Sequence, residues 1–121
     1  MVLISALLAS SAALATEIDV TTPIVDLDGK PITMDGKPDG VPLTLRTVAE
    51  NALLATYQDE HELSGDKKVE RMVLAQQIHA ASKIDLTAEN VTLLKQLIGK
   101  AYGPLIVGRA IAIVDPAAVK K

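Results

Sequence analysis

Several residue types that carry chemistry or large contacts are rare in this sequence. It contains no cysteine, which excludes disulfides, thiol catalysis and thiolate metal sites. Phenylalanine and tryptophan are also absent, and Tyr57 and Tyr102 are the two tyrosines. The core must therefore be built from aliphatic side chains, and a base-stacking surface for single-stranded nucleic acid is excluded.

Positive charge is not in excess either. The 121 residues include 12 Lys and Arg against 15 Asp and Glu, which gives a formal net charge of −3. No overall basic field would draw the chain to nucleic acid or to anionic lipid. No predicted helix carries the clustered Lys or Arg of a DNA-binding regulator. We therefore expect no nucleic-acid partner, and the length fits a single domain.

A long apolar run is missing as well, although the chain opens on a short one. Residues 1–15 contain no charged side chain, but serines interrupt them at three positions, and a membrane span needs about 20 apolar residues. Because Ala and Leu favour helix, we expect residues 1–16 to form an apolar, helical N-terminal arm. The arm would pack on its own domain or on a neighbouring copy. Its candidate interaction residues are Val2, Leu3, Ile4, Leu7 and Leu8.

The same segment has some features of an export signal. Ala13-Leu14-Ala15 is typical of a signal-peptidase site, so export with cleavage after Ala15 is the alternative. A signal peptide begins with positive residues, and here no Lys or Arg precedes Lys30. The missing charge favours the retained arm over the signal. A start assigned upstream of the native one is a third interpretation.

Residues 17–44 are rich in turn signals. Three Asp-Gly pairs occur here, and two of them open near-copies of one unit, DGKPIT and DGVPLT. Glycine accepts the left-handed backbone of tight hairpin turns because it has no Cβ. The pattern therefore predicts a short β-hairpin, with its strands at 24–27 and 30–33.

The spacing of acidic residues in this segment resembles a calcium-binding loop without matching it. An EF-hand loop has Gly at position six and Glu at position twelve. A loop that starts at Asp26 has Pro31 at position six, and one that starts at Asp35 has Arg46 at position twelve. We interpret these carboxylates as solvated turn residues and expect no metal site.

Four helical segments make residues 45–115 a helical domain. Apolar periodicity predicts each of them, and the candidate N-caps of the first three are Thr44, Ser64 or Asp66, and Thr87. The expected fold is mainly α: a compact four-helix domain with an N-terminal turn-rich β-hairpin, an apolar arm, and a solvated tail at 116–121. The predicted helices cover about 44–57, 66–82, 87–102 and 104–114.

Two of these helices are apolar beyond a single face. The apolar residues of the second helix spread around more than one face, and the last helix, PLIVGRAIAIV, is apolar all round apart from Arg109. Those of the second helix are Val69, Met72, Val73, Leu74, Ile78, Ala80 and Ala81. A helix that is hydrophobic on every side is typical of a buried position. We therefore expect the second helix to be covered on more than one side and the last to be the central element of the bundle.

The two histidines offer no catalytic or metal-binding motif. His61-Glu62 begins like the zinc-protease motif, but Gly65 stands where its second histidine belongs. We expect His61 to be a loop side chain and His79 to be a partly buried structural residue. Neither a phosphate-binding glycine loop nor a nucleophile elbow is present. The sequence thus predicts no catalytic, metal-binding or cofactor-binding residues, and no enzyme.

Arg109 is the one polar residue of the last helix. A single Arg in an apolar helix must form an ion pair or extend its charged end to water. The structural interpretation is a bridge to an acid such as Asp85, Glu50 or Asp115. The functional alternative is contact with a partner at the surface.

Three stretches together resemble a set of small uncharacterised helical proteins encoded by tailed bacteriophages and prophages. They are VDLDGKPI, LSGDKKVERMVLAQQI and DLTAENVTLLKQLIGKAYGPLIVGRA, and the resemblance covers residues 18–114. It implies no activity and no catalytic residue. It favours assembly factors, virion components and small host-directed inhibitors over metabolic enzymes.

These observations lead to one functional expectation and one alternative. We expect a non-enzymatic phage or prophage protein that acts by protein–protein contacts in virion structure or assembly. The alternative is a small regulator or inhibitor that binds a host or phage protein, with the acidic 59–66 loop as a candidate face. The partner would be a second copy or another virion or host protein, and the location the host cytoplasm or the virion. No cofactor, nucleic acid or membrane span is expected.

Overall fold

The computed structural model describes residues 16–119. About half of these residues are helical, so the fold is mainly α, as predicted. In chain order, the first helix packs on the second, third and fourth helices, and the two-stranded antiparallel sheet packs on the second, third and fourth. The elements in chain order are β1 (Thr16–Asp19), α1 (Leu45–Leu54), α2 (Gly65–Ala80), β2 (Lys83–Leu86), α3 (Ala88–Ala101), α4 (Pro104–Val114) and α5 (Pro116–Val119).

The sheet pairs two segments that lie far apart in the sequence. β1 runs antiparallel to β2, with Thr16 opposite Leu86 and Ile18 opposite Ile84. Each strand has four residues and a single buried side chain. Strands this short carry almost no alternating pattern, so the sequence did not predict this sheet.

Residues 20–44, the turn segment, close around a ring of three backbone hydrogen bonds. The amide of Ile24 donates to the carbonyl of Leu43 at 2.8 Å, Leu43 donates to Ile32 at 2.7 Å, and Ile32 donates back to Ile24 at 2.8 Å. A proline precedes each of the three residues. The repeat recognised in DGKPIT and DGVPLT therefore has a third copy around Ile24, and the three copies are arranged cyclically.

The predicted hairpin is present as a turn with single bridges rather than as two strands. Val25 and Pro31 form an isolated antiparallel bridge, and the amide of Asp26 donates to the carbonyl of Lys30 at 2.8 Å. Gly29 and Gly36 have positive φ values of 84° and 76°, as expected for Asp-Gly turns. The prolines remove the amides that a longer ladder would need.

Helix α1 lies at the centre of the fold. The five apolar positions of its inner face, Leu45, Val48, Ala49, Ala52 and Leu53, are all buried, and it contacts α2, α3 and α4. Its first two amides donate to carbonyls of the turn segment, at 2.9 Å and 2.8 Å, which satisfies donors that a helix start otherwise leaves unpaired. The predicted cap Thr44 precedes the helix but makes no side-chain cap bond.

Thr87 and Ser64, one of the two caps proposed for the second helix, are confirmed as N-caps. The Ser64 hydroxyl accepts from the amide of Lys67 at 3.2 Å and begins α2. The Thr87 hydroxyl accepts from the amide of Asn90 at 3.1 Å and begins α3. At the other end of α2, the guanidinium of Arg46 donates to the carbonyls of Ile78 and Ala81, a favourable cation at a helix C-terminus.

The prediction that α4 is the central element was wrong. In α4 only Ala110 and Val114 are buried, and Leu105 is 37% exposed. The helix packs on α3, α1 and β1 with one side, while Pro104, Leu105 and Gly108 are exposed on the other. The almost wholly apolar composition of α4 therefore did not predict how much of the helix is buried.

The prediction that α2 is covered on more than one side was also wrong. Its buried residues, Arg71, Leu74, Ala75 and Ile78, form a single stripe. The remaining large apolar side chains, Val69, Met72 and Val73, are exposed. Each of the two helices therefore leaves apolar side chains exposed at the surface: Leu105 on α4, and Val69, Met72 and Val73 on α2.

At the ends, two predictions have different outcomes. The expected tail begins with one helical turn, α5, whose residues 116–118 are exposed. The expected N-terminal arm, including Val2, Leu3, Ile4, Leu7 and Leu8, lies outside the described residues.

Candidate functional site

An apolar surface lies across α1 and α2. It consists of Leu54, Val69, Met72 and Val73, whose exposed fractions are 60%, 56%, 43% and 41%. Three of these residues belong to α2 at spacings of three and four, so they project from one side of that helix. We call these four residues the helix-pair surface. Contiguous exposed apolar side chains on a folded domain are characteristic of interaction sites.

A groove of about 360 Å³ borders the helix-pair surface. It is lined by Leu54, Met72 and Ala75 on its apolar walls and by Glu50, Gln76 and His79 at its rim. His79 Nδ1 lies 3.0 Å from a carboxylate oxygen of Glu50, and the His79 side chain is 76% exposed. The prediction of a partly buried His79 was therefore wrong.

A second groove runs along the open side of α4. It has a volume of about 540 Å³ and is lined by Leu27, Pro104, Leu105, Gly108, Arg109 and Ala112. Leu27 is 85% exposed and stands on a turn beside the helix. We call this the α4 groove.

Arg109 fixes the wall of the α4 groove. Its Nε donates to the carbonyl of Val25 at 3.2 Å and its Nη2 donates to the carbonyl of Asp26 at 2.8 Å. The predicted bridge from Arg109 to Asp85, Glu50 or Asp115 was wrong, because the guanidinium binds these two carbonyls instead. Glu50 pairs with His79, and Asp115 pairs with Lys95 at 2.8 Å. A contact of Arg109 with a partner stays a prediction.

The densest group of charged side chains lies where the 55–64 loop meets α2 and α3. The Arg71 guanidinium donates two parallel hydrogen bonds to the Glu60 carboxylate, Nη1–Oε1 at 2.8 Å and Nη2–Oε2 at 2.6 Å. Lys100 Nζ lies 3.0 Å from Asp59 and 3.5 Å from Glu60. A bidentate guanidinium–carboxylate pair is strong and geometrically specific, so it anchors the loop to the helices.

Tyr57 completes this group. Its hydroxyl donates to the carbonyl of Ala52 at 2.6 Å, and the carbonyl of Leu97 lies 3.3 Å away. Lys100 Nζ stands 5.2 Å from the centroid of the Tyr57 ring, within cation–π range. Tyr57 thus links the end of α1 to α3.

The pKa directions in the group follow from these contacts. Hydrogen bonds from Arg71 lower the pKa of Glu60, and the same bonds raise the pKa of Arg71. The hydrogen bond to Asp59 is the main reason that the pKa of Lys100 is raised. Burial raises the pKa of the Tyr57 hydroxyl. Each shift holds its group in the charge state it already has at neutral pH, so none is poised for proton transfer.

Both carboxylate oxygens of Glu60 are bound: Oε1 accepts from Arg71, and Oε2 accepts from Arg71 and lies 3.5 Å from Lys100 Nζ. In residues 16–118, no buried side-chain nitrogen or oxygen lacks a hydrogen-bond partner. Over the same described part, no group of three His, Asp or Glu is placed to hold a metal ion. We interpret the Arg71–Glu60–Lys100 group as a structural anchor.

Sequence reasoning missed this anchor. It treated the 59–66 acids as a flexible loop, and it passed over Arg71. The available signal was the position of Arg71 on the apolar stripe of α2, three residues before Leu74 and seven before Ile78. A cation at a buried helical position needs a carboxylate partner, and the nearby loop is rich in them. His61, as predicted, is an exposed loop residue.

Comparison with known proteins adds no homologue. The chain matches no protein-family description, no curated protein and no solved structure. None of the helices in the described range is both long and apolar enough to pass through a bilayer.

Proposed function

We propose that this is a non-enzymatic phage or prophage protein that acts by protein–protein contacts in virion structure or assembly. The observation that supports the proposal is the helix-pair surface, four large apolar side chains exposed on two helices that pack together. A patch of this kind gains free energy when a partner removes it from water. The Arg71–Glu60–Lys100 anchor supports the non-enzymatic part of the proposal, because its charged side chains bind one another.

The proposal includes the finer architecture. The four longer helices would act as one compact unit with the turn segment, and the partner would be a second copy or another virion or host protein. The host cytoplasm or the virion is the proposed location. The phage assignment rests on the resemblance of the three sequence stretches.

The alternative is a small regulator or inhibitor that binds one host or phage protein. The groove beside the helix-pair surface favours it, because about 360 Å³ lies within the range of about 300–1,000 Å³ that is typical of ligand-binding pockets. Its acidic face would be narrower than the sequence indicated, since Asp59 and Glu60 are bound to Lys100 and Arg71.

Light scattering on a sizing column tests the proposal. The full chain is compared with Met72→Glu/Val73→Glu, which places two charges in the helix-pair surface. The matched control is Gln77→Glu/Gln96→Glu, which adds the same two charges at exposed polar positions. We expect the full chain and the control to be oligomers and the surface variant to be a monomer. Three monomers would contradict self-assembly and favour the regulator.

A further inference from the structure

We propose that the helix-pair surface binds a second copy of this chain, with the two α2 helices antiparallel about a two-fold axis between Met72 and Val73. The inference rests on the proposed function, because it assigns one partner and one geometry to the same surface. It is argued from the order of residue sizes along α2 and from the charged side chains that border it.

The apolar side chains lie at the middle of α2. The helix covers Gly65–Ala80, so its midpoint falls between Met72 and Val73, which are 43% and 41% exposed. A two-fold interface uses the same patch on both copies. An antiparallel pair centred on this midpoint overlaps over the full length of both helices.

The exposed stripe of α2 is also complementary to itself in size. Its members recur every three or four residues, with two at the midpoint, so they share one side of the helix. They are Gly65, Val69, Met72, Val73, Gln76 and Ala80. In the antiparallel pair Gly65 of one copy lies opposite Ala80 of the other, and these small residues let the helix ends approach. Val69 lies opposite Gln76 and packs on its methylene groups.

Charged side chains on the α1 side of this stripe favour the same arrangement. Lys68, in the first half of α2, lines a groove with Leu54 of α1. Glu50 of α1 lies beside the second half of α2, next to His79. The two-fold axis exchanges the halves of α2 and keeps the α1 side of both copies on one side of the dimer. Lys68 of each copy therefore lies near Glu50 of the other, and this charge complementarity favours a second copy as the occupant.

Leu54 extends the contact onto α1. It is 60% exposed and borders two grooves, one shared with Lys68 and the other with Met72, so it lies near the midpoint of α2. The two-fold axis brings the Leu54 side chains of both copies together on one side of the dimer. A parallel pair would place them on opposite sides and leave both exposed.

Disulfide cross-linking tests this geometry, because the chain has no native cysteine. Met72→Cys and Val69→Cys are made in separate chains and oxidised with copper phenanthroline. Position 72 lies next to the axis and meets its own equivalent within about 6 Å, inside the Cα range of a disulfide. Position 69 is separated from its equivalent by about 10 Å along the helix. Gln96→Cys, exposed on α3, is the control for random collision.

We expect Met72→Cys to form a disulfide dimer about tenfold faster, or more, than Val69→Cys and Gln96→Cys. Equally fast cross-linking at positions 69 and 72 would overturn the proposal in favour of a parallel pair. Cross-linking of Met72→Cys at the rate of Gln96→Cys would overturn it in favour of a different protein as the partner of this surface.

A charge exchange gives an independent measurement. Lys68→Glu and Glu50→Lys each replace two attractive pairs of the dimer by two repulsive ones, so each should raise the dimer dissociation constant about tenfold. Lys68→Glu/Glu50→Lys restores both pairs and should return the constant to within about threefold of the wild-type value. The control Lys67→Glu, at an exposed position outside the stripe, should have little effect. Sedimentation equilibrium measures the constants, and circular dichroism checks that each variant is folded.

The outcomes separate this geometry from the proposed function. If Met72→Glu/Val73→Glu disrupts the oligomer but the charge exchange does not restore the dimer, the chain assembles through the helix-pair surface and the antiparallel geometry is wrong. A full chain that is monomeric at every concentration would overturn self-assembly itself.

Discussion

At the scale of single residues, Arg71 is the charged residue that the fold buries in the described part of the chain. Its guanidinium donates two hydrogen bonds to the carboxylate of Glu60. A buried guanidinium without a carboxylate partner destabilises the fold, because its charge has lost water and gained no compensating interaction. The pair therefore fixes where the 55–64 loop must lie.

Arg71→Met should lower the free energy of unfolding by about 1–3 kcal/mol, because it leaves Glu60 desolvated with a weaker partner. Urea unfolding followed by tyrosine fluorescence measures the change. The control is Lys67→Met, which removes the exposed pair between Lys67 and Glu70 at 3.6 Å. An exposed pair contributes little, so the control should change stability by less than about 0.5 kcal/mol. Equal losses in both variants would contradict the anchor.

The lowered pKa of Glu60 gives stability a defined dependence on acid. A carboxyl with a lowered folded-state pKa contributes stability above its unfolded pKa of about 4.3 and loses it as the pH falls through the folded value. The wild-type chain should therefore lose stability more steeply than Glu60→Gln below about pH 4.3. Unfolding free energies measured from pH 6 downward test this.

Two other carboxyls bear on the acid experiment. The pKa of Asp19 is also lowered, chiefly by a hydrogen bond from the Thr21 hydroxyl, and this contribution is shared by every variant. Glu70→Gln, at an exposed position, is the control and should keep the wild-type slope. A wild-type slope in Glu60→Gln as well would remove Glu60 from the explanation.

At the scale of elements, the turn segment is held from two directions. Its own ring of hydrogen bonds joins Ile24, Ile32 and Leu43. From outside, Arg109 of α4 holds the carbonyls of Val25 and Asp26. The 25 residues 20–44 contain no regular strand. Their conformation is stabilised by hydrogen bonds within the segment and by the bonds from Arg109 of α4.

Arg109→Met should release the Leu27 turn from α4 while the ring persists. The loss of two charge-assisted hydrogen bonds corresponds to about 10- to 100-fold faster amide exchange, expected at Asp26 and Gly29. Hydrogen exchange followed by NMR measures it. The control, Lys95→Met, breaks the pair with Asp115 and should leave these amides unchanged. Faster exchange in both variants would point to a general loosening of α4 instead.

At the scale of the whole molecule, the β1–β2 pair joins the start of the described chain to the middle. Thr16 and Leu86 are partners, so the strands close around the turn segment, α1 and α2. Ile18 and Leu86 are buried in the same core as α1, α3 and α4. The core is thus continuous from the sheet to the helices, and the described part should unfold as one unit.

Ile18→Ala should lower the free energy of unfolding by about 2–4 kcal/mol, because it removes a buried aliphatic side chain and leaves a cavity. Ile84→Ala, at the half-buried position opposite, should cost less. Helix content by circular dichroism and the fluorescence of Tyr57, which is remote in sequence from β1, should report one transition in each variant. Separate transitions would contradict a single cooperative core.

The sequence by itself determined the features that depend on neighbours along the chain. The helices, the caps Ser64 and Thr87, the left-handed turns at Gly29 and Gly36, and the mainly α class follow from hydrogen bonds and periodicities that span a few residues. What the tertiary structure alone decided is which apolar faces are covered, that α1 rather than α4 is central, and that β1 pairs with β2. It also decided the partners of Arg71 and Arg109. These outcomes depend on contacts between residues far apart in sequence, and composition reports how apolar a face is but not what lies against it.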